Sequence, residues 1–183
     1  MSRYPSRHQS VVQGFTLIEL LVMVVVAVTL IGTAFPSLVS MMQSHRMQSV
    51  SDDLISDFSL ARSTAITSGS WSTVCASNFS GKQCNKLASD WNNGWIVFRD
   101  RDNDGEIDAG ESVISVMPAM QGQLQLLASA PRFSFEPQGS ARGFAGDLII
   151  CDAQGSVNYQ GVIISASGRA REAESAENTV SCP

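Results

Sequence analysis

Hydrophobic and polar positions divide the chain into three stretches. The first 14 residues, MSRYPSRHQSVVQG, are polar, carry Arg3 and Arg7 without an acidic residue, and end in glycine. From Phe15 to about Leu38 the chain reads FTLIELLVMVVVAVTLIGTAFPSL, apolar almost throughout. As a helix rising about 1.5 Å per residue, those 24 positions reach about 36 Å, enough to cross a bilayer core of about 30 Å. Next, Met47, Val50, Leu54, Phe58, Ala61 and Ala65 follow at spacings of 3, 4, 4, 3 and 4, which puts them on one helical face. Ser, Asp and Arg fill the other positions, and Gly69 is a natural stop. The pattern predicts a helix from Phe15 to about Thr67, about 80 Å long, apolar all round at first and one-faced later. Met41, Met42 and Met47 read as packing positions of that helix.

After Gly69 the period changes to short β-prone runs separated by Gly, Asn, Asp and Pro. Expected strands are Trp71–Ala76, Gly94–Arg99, Ser112–Met117, Arg132–Phe135, Leu148–Cys151 and Gly161–Ser165. They are short enough to need a neighbouring sheet or the helix to bury a face. No internal repeat or long low-complexity linker interrupts them, so one domain is expected.

Composition sharpens this. At 44% hydrophobic residues the chain is not intrinsically disordered, and a net charge of −5 argues against a broadly basic nucleic-acid protein. Arg3 and Arg7 precede the apolar run, which orients the leader to the cytoplasm and the rest outward. A secretory signal peptide has a shorter apolar core with its cleavage site after it, whereas here the punctuation comes before. Cys75, Cys84, Cys151 and Cys182 lack the paired spacing of a zinc site and suit two disulfides in an oxidising compartment. Glu19 alone breaks the apolar run, at a cost of about 2.5–3.5 kcal/mol in a bilayer. Cleavage between Gly14 and Phe15 would leave a free amino group able to compensate it, within one chain or between neighbours.

The string Gly14-Phe15-Thr16-Leu17-Ile18-Glu19 resembles the processing motif of type IV prepilins and type II secretion pseudopilins. Pro36, the twenty-second residue from Phe15, matches the helix-bending proline of that superfamily. The resemblance implies cleavage after Gly14, N-methylation of Phe15 by a prepilin peptidase, and a Glu19 that guides assembly by meeting a neighbour's N-terminus. Within the superfamily the chain resembles the GspH/FimT group, through W-N-N-G-W-I-V-F (Trp91–Phe98), the acidic hairpin after it and a glycine-arginine segment near the C-terminus. An α+β type IV pilin fold follows from that likeness. Its parts would be a leader at 1–14, a transmembrane and assembly helix at 15–38, its amphipathic continuation at 39–69, and an exported β-rich domain at 70–183. Four cysteines allow three pairings. Cys75–Cys84 with Cys151–Cys182 is preferred, as one local clip and one tie on the C-terminal tail, with the other two open. The longer loop, about 30 residues, would contribute about 3–4 kcal/mol.

Two clusters could carry chemistry. Asp100, Asp102, Asp104, Gly105, Glu106, Asp108 and Glu111 fit the calcium-loop pattern D-x-[DN]-x-[DN]-G-x5-E. Side-chain oxygens of Asp100, Asp102 and Asp104, the carbonyl of Glu106, a water on Asp108 and a bidentate Glu111 would hold Ca²⁺. The flanks look like strands rather than helices, so the competing reading is an acidic, solvated hairpin tip softened by Arg99 and Arg101. The second cluster is Gly168-Arg169-Ala170-Arg171, which resembles the G-R-x-R motif of FimT-type minor pilins implicated in DNA binding. In extended chain, Arg169 and Arg171 would lie about 6.6–6.8 Å apart, near enough for adjacent phosphates. Lys82, Lys86, Arg132 and Arg142 are candidate additions, while Glu172, Glu174 and Glu177 oppose them. Two arginines would bind double-stranded DNA weakly, without sequence preference and with strong salt dependence. The competing reading pairs them with those acids or with another subunit.

Catalysis is not expected. Cleavage removes His8, His45 is a lone histidine beside the membrane segment, and no serine has a recognisable base partner. The sequence therefore points to a minor pilin anchored in the inner membrane with its domain in the periplasm, later joining other minor and major pilins near a filament tip. A DNA-binding minor pilin and a type II secretion pseudopilin are the rivals.

Overall fold

The computed structural model describes residues 15–78, 80–152, 159–173 and 182, with the side chains of 33–37, 40 and 88–90 left aside. The leader, Gly14, Glu174 and Glu177 lie outside the described residues, as does the side chain of Pro36. The chain divides into two compact units, residues 1–41 and 42–183.

In the first unit, α1 (Leu17–Ser68) starts at Thr16, whose Oγ1 accepts the Glu19 amide at 3.3 Å. That bond satisfies one of the orphan amides of a helix start, and Glu19 in the first turn complements the helix dipole. Large apolar side chains from Leu17 to Ile31 are all between 50% and 83% exposed, on every side of the helix. A helix apolar all round needs apolar surroundings, because no polar face is left for water. Among the described residues no helix is long and apolar enough to cross a membrane.

In the second unit the later turns of α1 carry the predicted stripe inward. Met47, Leu54, Phe58, Ala61 and Ala65 are buried, and Val50 packs beside them. α1 ends at Ser68, and Gly69 takes a left-handed φ of 63°. Two four-stranded antiparallel sheets meet this core. β1 (Ser72–Ala76), β2 (Trp95–Arg99), β3 (Val113–Met117) and β5 (Arg132–Phe135) form the first, in the order β3-β2-β1-β5. β4 (Leu124–Ala128), β6 (Gly146–Asp152), β7 (Tyr159–Ile164) and β8 (Ala170–Glu172) form the second, in that order. Phe58 lies 5.4 Å from Phe133, edge to face, and 6.4 Å from Phe135.

β1 is buried on both faces. Alternation sends Val74 and Ala76 into the helix core and Cys75 to the far face, against Ile96 and Phe98. Disulfides join Cys75 to Cys84 and Cys151 to Cys182.

Three elements were not expected: β4, a 3-10 helix, and the short edge strand β8, which follows the β7–β8 turn. β4 reads Leu-Gln-Leu-Leu-Ala, a composition that suits a helix. It becomes a strand because Leu126 pairs with Ile150 and donates its amide to Asn92 Oδ1 at 2.6 Å, while its side chain is fully buried. A 3-10 helix over Ala88–Asn93 precedes β2. It explains the W-N-N-G-W segment as architecture. Trp91 and Trp95 fill the core, donating to Ala130 O and Asp57 Oδ2. Gly94 holds φ 88°, and a Cβ there would collide with Met117 O.

Candidate functional site

Three places gather the residues singled out in the sequence. The first is the start of α1, where Phe15 and Glu19 are exposed. Between Phe15 and Ser44, Glu19 is the only charged side chain.

The second is the β2–β3 loop. It is no free tip, because it folds over the far face of the first sheet. Ile107 packs against Cys75, Ile96 and Phe98, and Lys86 bridges to Glu106 at 2.7 Å. Asp100 follows β2 and is fully buried. Its Oδ2 accepts Thr73 Oγ1 at 2.7 Å and the Gly105 amide at 3.1 Å, and lies 3.8 Å from Arg132 Nη1. Thr73 Oγ1 also meets Ser134 Oγ at 2.7 Å. Of the four carboxylates expected to ligate a cation directly, Asp100, Asp102, Asp104 and Glu111, the structure brings together the first three. One oxygen each from Asp100, Asp102 and Asp104 lies within 4.8 Å of the others. Glu106 turns to Lys86, and Glu111 accepts the amides of Arg101 and Asp108.

Electrostatics in this loop is strained. Burial pushes the Asp100 carboxyl above the ordinary range, against the downward pull of the Thr73 hydrogen bond. The charge of Asp104 is the main cause that raises Asp108. Groups raised on folding hold protons more tightly in the folded state, so their contribution to stability falls as pH rises through the unfolded value of about 3.9 toward the folded one. In chelator-treated protein, Asp108→Asn is therefore expected to raise the melting temperature at pH 7. Melts repeated toward pH about 3.5 should show the gain closing, as Asp108 becomes protonated in both states.

The third place is the β7–β8 turn. Ser165 donates its amide to Arg169 O and accepts the Gly168 amide, closing a tight hairpin. Gly168 holds φ 77° and is buried, and a Cβ there would collide with Gly139 O. Its small size thus serves packing against Gly139. Arg169 and Arg171 are both exposed, and β8 is an edge strand. Arg171 Nη1 donates to Glu172 O, and Glu172 Oε1 accepts Gln48 Nε2 at 2.7 Å, so that acid turns to α1. Sequence reasoning missed Arg62. Arg62 and Arg169 line one cleft of about 340 Å³ with Ser59 and Ser63, and Arg62 donates to Gly139 O at 2.9 Å. No sequence signal separates Arg62 from other polar positions of the helix. Of the other candidate cations, Lys86 and Arg132 are engaged at the acidic loop, while Lys82 and Arg142 are exposed.

An N-terminal helix whose later turns seat a sheet-rich, disulfide-tied unit is an α+β architecture similar to the pilin fold. The chain belongs to the GspH family: the family described as type II transport protein GspH matches residues 50–168. That match covers the stripe from Val50 onward, the whole first sheet, β4, β6 and β7 of the second, and Gly168, and it ends before β8. Minor pilin FimU of Pseudomonas aeruginosa is similar in structure, with a TM-score of 0.54 at 17% identity over 78% of this chain and 99% of that one. Minor pseudopilin EpsH, from the type 2 secretion system of Vibrio cholerae, gives 0.51 at 14% identity over 72% and 99%. At these identities the likeness is one of fold. No curated protein matches the sequence.

Proposed function

We infer that this chain is a minor pilin that takes part in type IV pilus biogenesis, within a complex that primes assembly and stays near the tip. The observation that carries the reading is the first stretch of α1, which from Leu17 to Ile31 exposes apolar side chains on every side, with Glu19 as the lone charge between Phe15 and Ser44. Such a surface must be covered by lipid before assembly and by neighbouring helices afterwards. In this reading a prepilin peptidase cuts after Gly14 and methylates Phe15. Residues 15–38 hold the chain in the inner membrane with the domain in the periplasm, and Glu19 pairs with a neighbour's N-terminus on entry to the filament. The chain performs no catalytic step. Apolar Val113, Ile114 and Val116 on edge strand β3 add exposed surface suited to contacts with other pilins or pseudopilins.

Arg169 and Arg62 sharing one cleft favour a second reading, in which the tip also contacts double-stranded DNA through Arg169 and Arg171 during uptake. The phosphate backbone would be gripped weakly and without sequence preference. One experiment addresses both. A strain deleted for the gene is scored for surface pili, DNA uptake and protein secretion, then complemented with the native chain or an Arg169→Gln, Arg171→Gln chain. Loss of pili that the double variant restores supports the pilus role, and uptake that stays low in the restored strain supports DNA contact. Loss of secretion with pili and uptake intact would overturn the pilus reading in favour of a pseudopilin.

A further inference from the structure

We propose that the β2–β3 loop is a calcium site built on Asp100, Asp102 and Asp104. The loop holds six carboxylates in the twelve residues 100–111. Clustered acids alone would only show a polar turn. The decisive feature is Asp100, which is fully buried, yet its Oδ1 has no hydrogen-bond partner. The two oxygens of this carboxylate are divided in use. Oδ2 accepts from Thr73 and from the Gly105 amide, which fixes the orientation of the group. Oδ1 is left without a hydrogen bond, on a carboxylate that brings one oxygen within 4.8 Å of oxygens of Asp102 and Asp104.

A buried carboxylate oxygen with no donor is costly, and a divalent cation is the ligand that removes the cost while also relieving repulsion among neighbours. Hard oxygen donors select calcium or magnesium over softer metals. Calcium accepts six to eight oxygens in adaptable geometry, whereas magnesium demands a near-ideal octahedron, so an uneven donor set of three aspartates, loop carbonyls and water favours calcium. Arg132 gives only partial compensation. Its Nη1 stands 3.8 Å from Asp100 Oδ2 and is itself buried without a hydrogen bond, while Nη2 donates to Asn103 O. Arg132 thus stands beside the oxygen that already accepts two hydrogen bonds and leaves Oδ1 uncompensated. A bound ion would join β2 to the loop that covers Cys75, Ile96 and Phe98, and so stiffen that face.

The proposal does not depend on the pilus role and is tested on the isolated protein. The full chain in detergent micelles is melted in chelator, in Ca²⁺ and in Mg²⁺, with Asp102→Asn and Asp104→Asn alongside. Both aspartates are exposed, and each Asn keeps the Oδ1 that accepts the Asp104 or Glu106 amide while removing one repelling charge, so in chelator neither variant should melt below the parent. Calcium at about 100 times its Kd is expected to raise the parent's melting temperature by about 5–10 °C. Magnesium should do far less, and both variants should lose the shift. No calcium shift up to about 10 mM, an equal shift with magnesium, or a shift that survives in both variants overturns the site.

Discussion

Replacing Phe58 by alanine is expected to destabilise the globular unit by about 3–5 kcal/mol. Phe58 is 1% exposed at the centre of the helix stripe. It meets Phe133 edge to face and Phe135 at a tilt, both from β5. Truncation would remove the transfer free energy of the ring and leave a hole between elements that cannot all collapse into it. Chemical denaturation followed by tryptophan fluorescence would report the change, since Trp91 packs 5.8 Å from Phe133. Leu60→Ala, two positions away on the exposed side of the same helix, should cost well under 1 kcal/mol. Equal losses at the two positions would mean that the stripe does not seat the sheets. A domain of this size has only about 5–15 kcal/mol to lose, so Phe58→Ala should also reduce the amount of intact protein in cells.

Glu19→Gln is expected to leave insertion and processing intact while excluding the chain from filaments. The substitution keeps the backbone amide that donates to Thr16 Oγ1, so the helix start survives. It removes the charge alone. If Glu19 pairs with a neighbour's N-terminal amine in a low-dielectric filament core, stranding that amine costs about 3–5 kcal/mol, more than a hundredfold in the assembly equilibrium. The ratio of chain in sheared filaments to chain in membranes measures it. An unchanged ratio would show that Glu19 serves only as a first-turn acid on the helix dipole, worth about 0.3–1 kcal/mol.

The acidic loop shows where reading in one dimension stopped. Its spacing names four carboxylates as direct ligands, but only three converge, because the loop lies over the far face of a sheet and Glu111 turns to the amides of Arg101 and Asp108. Arg132 joins it through pairing of β1 with β5 and was first grouped with other candidate cations by charge alone. Gly168 shows the reverse case. Its neighbours suggest a turn beneath two arginines, and it does sit in that turn, but its contact with Gly139 and the presence of Arg62 in the cleft that Gly168 and Arg169 line come from distant segments.

The sequence alone determined the features that depend on near neighbours. Those are the apolar run with its lone acid, the period of the stripe, the stop at Gly69 and most strands, each set by residues a few positions apart. Tertiary structure decided what depends on distant partners. It turned Leu124–Ala128 from a helix-prone string into a strand through Asn92 and β6. It buried Asp57 under the indole of Trp95 and left one oxygen of Asp100 without a hydrogen bond. A buried polar group is defined by what surrounds it, and those surroundings come from segments that meet only when the chain folds.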